Sequence, residues 1–210
     1  VHNRLTHSLK VSAVARSIAI RLRNADESTR RLVDHLGGCD PVVVQAAAAA
    51  HDLGHPPFGH LGELELDRVA RGLLNLPDGF EGNAQTFRIL TALDSCDATA
   101  RGMNLTRAVR AAVLKYPWTR NEWRALAPLA PEMLPRGVGT DPAAGALKYS
   151  AYDVDAHEMA DVLSVFPNIG RHQQTLESSV MDIADDIAYA VHDLDDFYRA
   201  GLLNAATLSA

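Results

Sequence analysis

Residues 46–63 read AAAAAHDLGHPPFGHLGE. Five alanines lead straight into His51-Asp52, and His55 and His60 follow within nine residues. Alanine is the strongest helix former, so the run marks a helix interior. Just upstream, GGCDP supplies the start. Asp40 can accept hydrogen bonds from the first unpaired amides, and Pro41 suits the first helical position. Gly54 and the pair Pro56-Pro57 supply the stop. The predicted helix, 41–53, is apolar nearly all round, which places it centrally in the fold. It nevertheless ends in titratable groups. Imidazole beside carboxylate is a donor pair for a divalent ion. A histidine interacting with the carboxyl end of the helix dipole would leave the same pair, so on its own the pair leaves both readings open.

Outward from this stretch, the pattern stays helical. Val11, Val14, Ala15, Ile18 and Leu22 recur every three or four residues and predict a helix over 5–23. The segment 24–35 is charged and reads as solvent-facing. Further helices are predicted over 60–71, 83–95, 104–115, 155–165 and 173–200. In the last of these, Leu176, Val180, Ile183, Ile187 and Val191 form the expected apolar stripe. Residues 128–150 are rich in proline and glycine and read as a loop or flexible insert. No stretch reads as a long strand, and there is no glycine-rich phosphate loop. The expectation is an all-α fold with one helical domain over 1–210, not a parallel-sheet nucleotide fold.

Composition bounds the function classes. The 210 residues are 47% hydrophobic, enough for one sizeable core. A formal charge of −6 argues against a nonspecific nucleic-acid coat, while a local basic cleft remains compatible with it. Cys39 and Cys96 make neither a disulfide framework nor a thiolate metal site. No run of eighteen uncharged apolar residues exists, and the first residues carry no signal-peptide pattern, so the expectation is a cytoplasmic protein with no membrane span. The opening VHNRLTHSLKV lacks Met and is already dense in chemistry, which reads as a fragment of a longer chain.

Two other regions can join His51 and Asp52. Arg4 and His7 lie three apart on the first predicted helix and share a face. A metal held by His7, His51 and Asp52 needs a further protein ligand, and Arg4 could meet an anionic substrate beside it. The last helix offers Asp185, Tyr189 and Asp193 at strict four-residue spacing, on one line along one face. A solvated acidic surface is the competing explanation, because Asp182, Asp186, Asp195 and Asp196 are acidic too.

With these residues in place, the ordered H…HD…D pattern resembles the HD-domain phosphohydrolases. NRLTHS at 3–8, HDLGHPPFGHLGE at 51–63, GFEGNAQTFRIL at 79–90, LKYPW at 114–118 and MDIADDIAYAVHDLDDF at 181–197 are similar to the deoxyguanosinetriphosphate triphosphohydrolase (dGTPase-like) family. The resemblance implies a single divalent metal, with Mn, Mg, Fe, Ni or Zn all compatible, held by His7, His51, Asp52 and Asp185. It implies hydrolysis of a deoxynucleoside triphosphate, dGTP favoured, to deoxynucleoside and inorganic triphosphate. His60 and Glu63 resemble the family's catalytic His–acid pair, in which the carboxylate sets the imidazole tautomer. Arg4, His55 and Lys115, with Lys148 less secure, resemble its phosphate-binding groups. Tyr189 resembles the residue packed on the deoxyribose, and Asp193 the acceptor for the 3′-hydroxyl. Asn83 and Gln85 are expected to line the site. A homo-oligomer is also implied, supported by the apolar 41–50 helix; nucleic-acid binding is known for some relatives but not predicted here. Two alternatives remain at this stage: another HD-domain nucleotidase or phosphodiesterase, and a nucleotide-binding protein with little turnover.

Overall fold

The structure is a computed structural model describing residues 3–95, 101–126, 134–135, 138 and 141–203. Asn3 opens α1 (Arg4–Arg23) with a reciprocal capping box to Thr6. Asp26 caps α2 (Glu27–His35), and Asp40 accepts from Val42 and Val43 N–H to start α3 (Pro41–Ala50), with Pro41 at the first turn as expected. There follow α4 (Gly59–Gly72), α5 (Gly82–Arg88), α6 (Arg107–Ala112), α7 (Arg120–Arg124), α8 (Ala156–Leu163) and α9 (Leu176–Arg199). Among the described residues there is no strand, only an isolated parallel bridge between Thr119 and Ala151. The expected all-α architecture is borne out.

The alanine-rich helix α3 is the centre of the packing. Its Val44 and Ala48 meet Val11, Ala15 and Ala19 of α1 and Val180, Met181, Ala184 and Ala188 of α9. Its Ala47 and Ala50 join a second cluster with Phe87, Leu90, Ala111, Ala112, Met159 and Val162. Small side chains at these contacts let the helix axes lie close. The apolar character of 41–50 is thereby accounted for inside the domain, and it lends no support to oligomerisation. A third cluster is aromatic: Trp118, Trp123, Tyr116, Tyr149 and Tyr152 pack with Ala84 and Val138.

Two expectations need correction. First, Ile183, Ile187 and Val191 do not face the core; they are 40%, 41% and 58% exposed. Helix α9 carries two apolar stripes, and the buried one runs through Val180, Met181, Ala184 and Ala188. Its smaller side chains fit against α1 and α3, and the same roll turns Asp185 inward. The segment 24–35 is mostly solvent-facing as expected, and it forms α2 with Val33 as its buried anchor. Second, several of the predicted helices overrun. Helix α3 ends at Ala50 and 51–54 form turns, 83–95 becomes α5 followed by a π-helical turn at Ile89–Leu93, and 104–115 shortens to α6. Short α7 was not expected at all. Of the segment 128–150, residues 128–133, 136–137 and 139–140 lie outside the described residues; 141–150 includes a 3-10 turn at Pro142–Ala146 and then buried Tyr149 and Ser150.

Two LKY tripeptides, at 114–116 and 147–149, run beside each other. Tyr116 N–H donates to Ser150 Oγ at 2.8 Å, and Ser150 N–H returns a bond to Tyr116 O at 2.8 Å. Trp118 Nε1 donates to Gly145 O and Lys148 O at 2.9 and 2.7 Å.

The turn after α3 is locked by one glycine. Gly54 N–H donates to Thr86 Oγ1 at 2.9 Å, and that hydroxyl donates to His51 O at 3.0 Å. A Cβ on Gly54 would sit 2.2 Å from Thr86 N and 2.5 Å from Gly82 O, both backbone atoms that cannot swing away. Gly54→Ala is therefore expected to destabilise the fold by about 2–3 kcal/mol, lowering Tm by roughly 5–10 °C. A thermal melt followed by circular dichroism checks this, and an unchanged Tm would show that the turn has room the structure does not give it.

Candidate metal centre and catalytic cleft

Three elements bring four donors together. Helix α1 supplies His7 from its first turns, the end of α3 supplies His51 and Asp52, and α9 supplies Asp185. His7, His51 and Asp185 are buried, and Asp52 is partly so. His7 Nε2 lies 2.9 Å from Asp185 Oδ1. His51 Nε2 lies 3.4 Å from the same oxygen and 3.5 Å from Asp52 Oδ1. Donor atoms of His7, His51 and Asp52 all fall within 4.8 Å of one another, and Asp185 closes the group through its contacts to both imidazoles.

The arrangement fits a divalent metal. His51 Nδ1–H donates to Ala48 O at 2.8 Å, which leaves Nε2 as the nitrogen turned toward the carboxylates. That Nε2 is buried and has no hydrogen bond, an arrangement unfavourable unless a cation takes its lone pair. Electrostatics agree. Desolvation pulls the His51 pKa down, but Asp185 and Asp52 outweigh it and hold the imidazole above its ordinary range. Burial works against the Asp185 carboxylate, yet His51, Lys115 and His7 bring it down to about 2. The raised His51 and the lowered Asp185 both mark a place suited to positive charge.

Beside the donors opens a cleft of about 450 Å³. Its walls include His51, Asp52, His55, His60, Glu63, Asn83, Lys115, Lys148, Asp185 and Tyr189. The Tyr189 ring lies 4.4 Å from that of His7 and is half exposed. Lys115 Nζ pairs with Asp182 Oδ1 at 2.7 Å and approaches Asp185 Oδ2 at 3.4 Å. Burial disfavours both lysine charges, but Asp182 for Lys115, and Glu81 and Glu63 for Lys148, raise their pKa values above the ordinary range, so both stay cationic. Burial, with Arg4 adding to it, pushes His55 below its ordinary value despite Asp52 and Glu63.

Several expected residues stand differently from the sequence reading. Glu63 does not hydrogen-bond His60. Its Oε1 accepts from Gly82 N–H at 2.8 Å and its Oε2 pairs with Lys148 Nζ at 3.0 Å. Glu63 faces inward from α4 while His60, three residues earlier, is exposed to the cleft. The Arg4 guanidinium caps the turn after α3, donating to His55 O at 2.5 Å and to Pro56 O, and does not line the cleft. Asp193 is exposed and also outside the cleft walls. Asn83 is in the wall, its Nδ2 donating to Glu81 Oε1 at 2.7 Å. Gln85 instead lines an apolar pocket near Tyr152. Lys148, less secure than Lys115 in the sequence, lies within 128–150 and lines the cleft. The repeated LKY was the available signal, since both lysines reach the same cleft.

An all-helical scaffold with a histidine, an adjacent His-Asp pair and a distant aspartate converging at one point defines a class of protein. Residues 4–190 match the HD domain family, and the chain belongs to it. It is similar to the deoxyguanosinetriphosphate triphosphohydrolase-like protein of Corynebacterium efficiens, 39% identical over 209 residues, covering 98% of this chain and 40% of that protein. The protein so named in Streptomyces coelicolor is 38% identical over 210 residues, covering 99% of this chain and 40% of its own length. That of Shewanella loihica is 34% identical over 220 residues, covering 97% and 47%. The chain thus spans about two fifths of the length of the first of these curated relatives. The resemblance carried by the motifs is borne out. No helix among the described residues is long and apolar enough to cross a membrane.

Proposed function

We propose that this chain carries the catalytic centre of a metal-dependent deoxynucleoside triphosphate triphosphohydrolase. The observation that supports the reading best is the convergence of His7, His51, Asp52 and Asp185 on one wall of a cleft that also presents Lys115 and Lys148. When bound there, a divalent cation supplies Lewis acidity toward a phosphoryl oxygen. The rest falls to the chain. Lys115 and Lys148 offset the negative charge of a triphosphate tail. Lys148 is held for this by Glu63, which acts through the lysine and not through His60. His60 stands in the cleft without a hydrogen bond to Glu63, where it can transfer a proton in breaking the bond between the 5′ oxygen and the α-phosphorus. Tyr189 offers a half-exposed ring beside the metal donors, a surface for the deoxyribose that leaves little room for a 2′-hydroxyl. Arg4 serves the site by holding the turn that carries His55. The names of the relatives favour dGTP as substrate, and a cytoplasmic homo-oligomer accords with the family resemblance.

Product analysis tests the reading. The full-length protein with Mn²⁺ and each deoxynucleoside triphosphate is expected to release inorganic triphosphate and deoxynucleoside in equal amounts. Stepwise orthophosphate release would instead assign the site to a nucleotidase of the same fold, and no turnover with any of them would leave a binding protein.

A further inference from the structure

Lys115 has two carboxylates to choose between. Its ammonium lies 2.7 Å from Asp182 Oδ1 but 3.4 Å from Asp185 Oδ2. Asp182 and Asp185 sit three residues apart on α9 and both are buried. The nearer carboxylate is held in place from outside the helix. Gln174 Nε2 donates to Asp182 Oδ2 at 3.1 Å and to Lys115 O at 2.9 Å. The Lys115 carbonyl and the Asp182 carboxylate can only accept, so they fix the amide nitrogen on their side, and Ser179 Oγ donates to Gln174 Oε1 at 2.9 Å. Gln174 thus ties the Asp182 carboxylate and the Lys115 backbone to one point. The loop before it is anchored two residues earlier, where His172, in the left-handed region at φ +61°, meets Glu122 at 3.0 Å through Nε2.

The consequence lies in the competition for Asp185. The ammonium approaches Oδ2 while the imidazoles meet Oδ1, so an ammonium pairing fully with that carboxylate would oppose a cation at the neighbouring donors by repulsion and by drawing the carboxylate charge away from them. We propose that Asp182, oriented by Gln174, is a positioning residue that holds the Lys115 ammonium off Asp185, so that one cleft can keep a cationic lysine and a divalent metal side by side. This rests on the metal-site reading above. Lys115 stays charged and directed into the cleft, while Asp185 keeps its donor capacity.

The test is a double-mutant cycle read by Mn²⁺ affinity, measured by isothermal titration calorimetry on the full-length protein without nucleotide. Asp182→Asn is expected to weaken Mn²⁺ binding roughly 10-fold, the scale at which partners of metal ligands act. Lys115→Met alone should change it by less than about 3-fold, because Asp182 already restrains the ammonium. In the double variant the loss should largely disappear. A purely structural role for Asp182 would leave the loss undiminished there, and that result overturns the proposal, as does unchanged affinity in Asp182→Asn. Should Asp182→Asn fail to fold by circular dichroism, the cycle is run with Gln174→Met, where a smaller loss again relieved by Lys115→Met is expected and an unrelieved or absent one contradicts it. If the wild-type protein binds no Mn²⁺, the metal-site reading itself fails; if it binds but the cycle shows no coupling, this inference alone does.

Discussion

Asp185→Ala is expected to weaken divalent-metal binding by at least about 100-fold and turnover by roughly 10³-fold or more. Asp185 Oδ1 touches both His7 Nε2 and His51 Nε2, so its loss removes a donor and also the charge that aligns two others. Folding is a separate question. Truncating one member of a buried charged cluster is destabilising, so a thermal melt without metal must accompany the assay. Asp185→Asn is the control of similar shape: it keeps the packing of α9 and loses the charge, and it should lose metal as well. Metal content by inductively coupled plasma spectrometry and affinity by calorimetry give the result. A folded Asp185→Asn protein that retains both metal and turnover would remove Asp185 from the site.

The second large effect is expected at His60. It lies in the second residue of α4, exposed to the cleft, and the structure gives it no hydrogen bond to Glu63. Its ring faces that of His55 edge-on at 6.0 Å. Little of the fold depends on it, so His60→Ala should change stability by no more than about 0.5 kcal/mol. Turnover should nevertheless fall about 10²–10⁴-fold, the usual contribution of a proton-transfer group, while metal affinity stays within a few-fold of wild type. Steady-state kinetics and calorimetry on the same preparations separate the two quantities. A variant that loses metal but keeps its rate per bound metal would place His60 among the ligands.

Much of this site was legible in the chain, for identifiable reasons. His51 and Asp52 announce themselves because the helix before them is almost pure alanine and valine, so charged groups at its end stand out. Asp185 and Tyr189 were readable from a four-residue spacing that only a helix turns into a line. The roll of α9 was not readable, because Ile183, Ile187 and Val191 form as regular a stripe as the Val180, Met181, Ala184 and Ala188 set that is buried. Periodicity says that a face is apolar; the neighbours decide which face is covered. The partner of Glu63 was hidden for a similar reason. Spacing of three predicts a contact with His60 along the helix, but a buried carboxylate takes the strongest donors available, and Lys148 and Gly82 N–H arrive from distant segments. The contacts of Arg4 were not legible either: its spacing from His7 points it toward an anionic substrate, while here its fork meets the backbone carbonyls of His55 and Pro56.

The central claim is that His7, His51, Asp52 and Asp185 together hold one catalytic metal. Crystals of the full-length protein grown with Mn²⁺, measured on both sides of the manganese absorption edge, test it most directly. The account predicts a single strong anomalous peak within bonding distance of all four side chains. A peak at another set of residues, with these four dispersed, or no peak in crystals saturated with Mn²⁺, would contradict it.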